Sequence, residues 1–82
     1  MSTERLQNLG RLEDKKLQAE KKKLKIKTLV ETIRLKADPF EKPEDLETES
    51  IAEQALELAN VQIEYLGILA EIKALKKALG KE

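Results

Sequence analysis

The chain has 82 residues, enough for one small domain and too few for a generous core. Sixteen Lys or Arg balance sixteen Asp or Glu, and the lack of cysteine and histidine excludes a disulfide framework, thiolate chemistry and imidazole chemistry. Hydrophobic residues make up 40% and recur with a helical period, so a charged content of 39% belongs here to an ordered chain and not to a disordered one.

No apolar run approaches the roughly 18 residues that cross a membrane. The opening MSTERLQNLG lacks the apolar stretch of a signal peptide. A cytoplasmic protein without membrane contact is the expectation.

The first helix is expected over about residues 3–37. Ser2 or Thr3 can cap it, with Glu4 in the first turn. Gly10 weakens the early part by about 1 kcal/mol relative to alanine. Leu12, Ala19, Ile26 and Ile33 form one heptad row, joined by Val30 and Ala37. Lys15 and Lys22 interrupt that stripe. Leu6, Leu17, Leu24 and Leu35 form a second row about 150 degrees away at 100 degrees per residue.

Pro39 ends this helix near Ala37, because proline restricts the residue before it and lacks a backbone N–H. The turn is expected over about residues 38–44, with Phe40 plugging the end of a hairpin. Such a short connection favours antiparallel neighbours.

The second helix is expected over about residues 45–79. Pro43, Glu44 and Asp45 make a good first turn. Ser50 and Glu53 also match a capping box, which would place the start later. Gly80 stops the helix, with Lys76 and Lys77 in its last turn.

Within it runs an unbroken heptad seam. With Ile51 as position a, the a residues are Ile51, Leu58, Tyr65, Ile72 and Leu79; the d residues are Gln54, Val61, Ile68 and Leu75. A second stripe lies on roughly the opposite side: Ala52, Leu56, Ala59, Ile63, Leu66 and Ala70. Gly67 lies near Ala70 and Ala74, where it either permits a tight interhelical contact or is a tolerated surface glycine.

Charge separates the two halves. Residues 1–41 hold 11 bases against 7 acids, and residues 42–82 hold 5 against 9. From Glu44 to Glu71 there are eight acids and no base. Folding back about residue 41 sets Lys15 to Lys27 beside about residues 55–67. The lysines then answer the column Glu57, Glu64 and Glu71.

One hairpin buries only one stripe from each helix. Leu17, Leu24, Leu35, Leu56, Ile63 and Leu66 would stay in water, each forgoing roughly 1.5 to 3 kcal/mol of burial. Two hairpins forming a homodimeric four-helix bundle solve this, with Leu17, Leu24, Leu35, Leu56, Ile63, Leu66, Gly67 and Ala70 as the oligomer or partner interface. The fold expected is therefore an all-α antiparallel two-helix hairpin with coiled-coil-like packing.

No catalytic residue, cofactor site or metal site is expected. The serines and threonines have no base beside them, and a solvated carboxylate column offers no cleft in which two acids could differ. The function expected is a small interaction or regulatory module that binds an unidentified partner protein. The alternative is nucleic-acid binding by Lys15, Lys16, Lys21, Lys22, Lys23, Lys25 and Lys27. Against it stand the zero net charge, the spread of these lysines around the helix and the lack of stacking aromatics.

Overall fold

Two long helices packed against each other make up most of residues 3–80, which the computed structural model describes. Helix α1 spans Thr3–Lys36 and α2 spans Thr48–Ala78. At 1.5 Å per residue they are about 51 and 46 Å long, and the molecule measures 64 × 17 × 14 Å. Among the described residues there is no strand. Ser2, one of the two candidate caps, lies outside the described residues.

The heptad seam of α2 is the face that packs on α1. Val61, Ile68, Ile72 and Leu79 are buried. Ile51, Gln54, Leu58, Tyr65 and Leu75 are half-buried. The largest continuous core lies in the half away from the turn, where Leu12 and Ala19 meet Ile68, Ile72 and Leu79, with Leu9, Tyr65 and Leu75 against them. Leu12 alone is fully enclosed.

Helix α1 buries the expected row, with Leu12 and Ala19 buried and Ile26 and Ile33 half-buried, but the column that joins this row is not the expected one. Leu29 is 6% exposed, whereas Val30 is 39% exposed and Ala37 is also on the surface. With Leu12 at a, the d column reads Asn8, Lys15, Lys22, Leu29 and Lys36. The lysines of this column are half-buried. Their aliphatic stems cover the seam while their ammonium groups reach its edge. Lys15 and Lys22 are thus members of the stripe, and continuing their interval of seven leads to Leu29.

The connection departs from expectation in two places. Glu41 N–H donates to the Asp38 carbonyl at 3.1 Å, closing a β-turn with Asp first and Pro39 second. Phe40 N–H donates to Asp38 Oδ1 at 2.9 Å. This turn leaves the Phe40 ring 93% exposed, so it does not plug the hairpin.

Pro43–Asp45 forms a separate 3-10 turn and not the start of α2. Leu46 is then extended (φ −68°, ψ 130°), and α2 begins at Thr48. Continued as α-helix, Leu46 would fall at position c, away from α1. Leaving the helix lets it become half-buried. Ser50 is internal to α2 and forms no capping box; its hydroxyl accepts a hydrogen bond from Lys36 Nζ.

At the open end α2 stops as expected. Gly80 has φ 71°, the left-handed conformation that favours glycine. Its N–H donates to the Lys77 carbonyl at 3.1 Å. The Arg5 guanidinium donates to the Leu79 carbonyl at 3.4 Å, tying the start of α1 to the end of α2.

Candidate interaction surface

The two open sides of the hairpin differ in chemistry. One side carries a charge ladder. Lys15 pairs with Glu71 at 2.8 Å, Lys22 with Glu64 at 2.5 Å and Lys25 with Glu57 at 3.3 Å. All three acids occupy position g of α2, one heptad apart, so each meets a lysine from α1. Lys25 meets Glu57 as folding about residue 41 would set it, whereas Lys15 meets residue 71 and not 67 and Lys22 meets 64 and not 60, about one turn further along. The connection after Lys36 has its own turns and does not fold symmetrically about residue 41.

Glu64 lies between two lysines. Its hydrogen bond to Lys22, then the charges of Lys22 and Lys25, hold its carboxyl below the ordinary value of 4.5 against a smaller opposing effect of desolvation. A folded-state value lowered in this way contributes stability above the unfolded value, and that contribution is lost as pH falls through the folded value. The stability difference between the parent and Glu64→Gln should therefore be present at neutral pH. It should vanish below the ordinary carboxylate range in thermal melts taken across acid pH.

The basic segment does not act as one surface. Besides the three lysines of the ladder, Lys16 pairs with Glu13 at 3.7 Å. Lys21, Lys23 and Lys27 form no ion pair among the described residues, and they point in three directions at positions c, e and b. Replacing Lys22 with Gln should lower stability by a small amount that shrinks at high salt, since exposed pairs are screened. Replacing Lys21 or Lys23 with Gln should leave stability unchanged. Urea denaturation at two salt concentrations checks the contrast.

Away from the ladder the exposed surface is rich in apolar side chains, and on α2 it is uncharged. Seven of the exposed large aliphatic side chains belong to the off-seam stripes: Leu35 is 78% exposed, Ile63 68%, Leu56 65%, Leu24 63%, Leu17 57%, Leu6 56% and Leu66 55%. On α2, positions e, b and f between Ala52 and Ala70 carry no charge at all, and Gln62 is their only polar side chain. Of the acids within that span, Glu57 and Glu64 lie beyond it at position g, and Glu53 lies at its edge at position c. An open apolar groove borders this sector, lined by Ile26, Val30, Leu58, Gln62, Tyr65 and Leu66.

Leu69 and Val30 join this surface at 38% and 39% exposure. Neither was part of the expected interface; both lie at position e, between the two stripes, and the signal for them was their place beside Leu66 and Ile26 on the wheel. Beyond the adjoining residues and backbone of α2 itself, no atom comes within 4 Å of where a Cβ on Gly67 would stand. The hairpin itself therefore makes no close contact there, and Gly67 and Ala70 are both on the surface.

The six expected interface leucines and isoleucines fall into two separate groups. Leu56, Ile63 and Leu66 share the α2 sector, whereas Leu17 and Leu24 line the outer side of α1 at position f and Leu35 lies at c near the turn. No helix among the described residues is long and apolar enough to cross a membrane. No protein-family model, curated protein or solved structure matches the chain.

Proposed function

We propose that this chain is a small non-enzymatic interaction module that self-associates and presents a helical surface to a partner protein. The observation that carries the reading is the uncharged, exposed sector of α2 from Ala52 to Ala70. Contiguous apolar surface of this kind marks interfaces. A two-helix hairpin with so few enclosed side chains also gains from a second layer. In this reading two hairpins combine into a four-helix assembly in the cytoplasm, and the outer leucines of α1 are left for a partner.

The rival, a nucleic-acid-binding regulator, is disfavoured by the engagement of Lys15, Lys22 and Lys25 with α2 acids. Titrating labelled duplex DNA and structured RNA at two salt concentrations tests the choice. Negligible binding is expected near physiological salt. Tight binding, with log K falling against log salt at a slope near −0.9 per phosphate neutralised on duplex DNA, would overturn the interaction reading.

A further inference from the structure

We propose that the second copy docks through α2 alone, antiparallel to its own counterpart, about a two-fold axis at the level of Val61. This rests on the self-association proposed above and specifies its geometry.

The exposed stripe Ala52, Leu56, Ala59, Ile63, Leu66 and Ala70 advances by intervals of 4, 3, 4, 3 and 4. That is the spacing of a coiled-coil seam, here at positions b and f. The intervals read the same in both directions. A two-fold interface requires that if residue i meets residue j of the second copy, residue j also meets residue i. Laid antiparallel about Val61, Ala52 meets Ala70, Leu56 meets Leu66 and Ala59 meets Ile63. The bulky Ile63 falls opposite the small Ala59, so the layers interdigitate.

Charge agrees with the same axis. The stripe continues at its two ends to Glu49 and Lys73, and these also become partners across the axis. Each dimer then has an opposite-charge pair at either end. On the two flanks, Asn60 meets its own copy, and so does Gln62. An amide carries both donors and an acceptor and can pair with an identical amide. Glu53, the acid nearest the seam, falls opposite Gly67, which has no side chain to crowd it. A parallel arrangement would instead set Glu49 against Glu49 and Lys73 against Lys73.

The new seam lies about 150 degrees around α2 from the seam with α1, at 100 degrees per residue. Helix α2 is therefore the inner helix, and the assembly is a layer in the order α1, α2, α2, α1. Leu17 and Leu24 stay on its outer edges.

Sedimentation equilibrium on charge-swapped and face-directed variants tests this. Ile63→Glu places two unpaired carboxylates in the interface and should raise the dimer dissociation constant about 100-fold or more. Leu24→Glu should leave it unchanged. Glu49→Lys and Lys73→Glu should each weaken association several-fold, and the double swap should restore it, with helicity checked by circular dichroism. Loss of dimer in Leu24→Glu but not in Ile63→Glu would overturn the α2 interface while leaving self-association standing. Failure of the double swap to restore association would overturn the antiparallel register. A parent chain that is monomeric throughout would instead remove the reading on which the proposal rests.

Discussion

Replacing Ile68 with Ala is expected to cost about 2 to 5 kcal/mol of folding stability. The side chain is 8% exposed and belongs to the continuous core with Leu12, Ala19, Ile72 and Leu79. Truncation removes buried methyl groups and leaves a cavity in a core with few other buried residues to close around it. Small domains are stable by about 5 to 15 kcal/mol at most, so this loss should leave a large fraction unfolded. Leu69 is adjacent in sequence but 38% exposed, so Leu69→Ala should cost clearly less. Urea denaturation of both variants at one fixed protein concentration gives the comparison. A larger loss at Leu69 than at Ile68 would mean that α2 turns a different face to α1.

The second large effect concerns association. Leu66→Glu should weaken self-association by about 3 to 5 kcal/mol, because an unpaired carboxylate would be buried in the interface. Glu53→Gln removes a charge at the edge of the same helix and should change association little. In the hairpin alone Leu66 is 55% exposed, so its replacement should leave the fold intact. Equal effects of the two changes, measured by light scattering over a dilution series, would place the interface elsewhere.

The α2 seam was legible because its heptads are unbroken and mostly apolar. All nine positions, from Ile51 to Leu79, are buried or half-buried. The acid column at Glu57, Glu64 and Glu71 was legible for the same reason: seven-residue spacing fixes a direction on the wheel, and a lysine-rich neighbour had to meet it.

Helix α1 was harder to read. Three of the five residues in its d column are lysines whose stems pack and whose charges leave, so hydropathy alone conceals that column and misses Leu29. The connection was harder still. Local signals at Pro43 and at Ser50 each supported a helix start, and neither registers that Leu46 gains burial by leaving the helix. Phe40 was assigned by its apolar character, whereas the turn made by Asp38, Pro39 and Glu41 determines where it points. The six leucines and isoleucines off the seam were legible as exposed surface, but hydropathy could not divide them between the α2 sector and the outer side of α1.

Self-association is the claim on which the function and the interface both depend. Sedimentation equilibrium of the unmodified chain at micromolar concentration tests it most directly. A folded species of twice the 9.3 kDa chain mass or larger is expected. A helical, cooperatively folding species of single-chain mass at that concentration would contradict it.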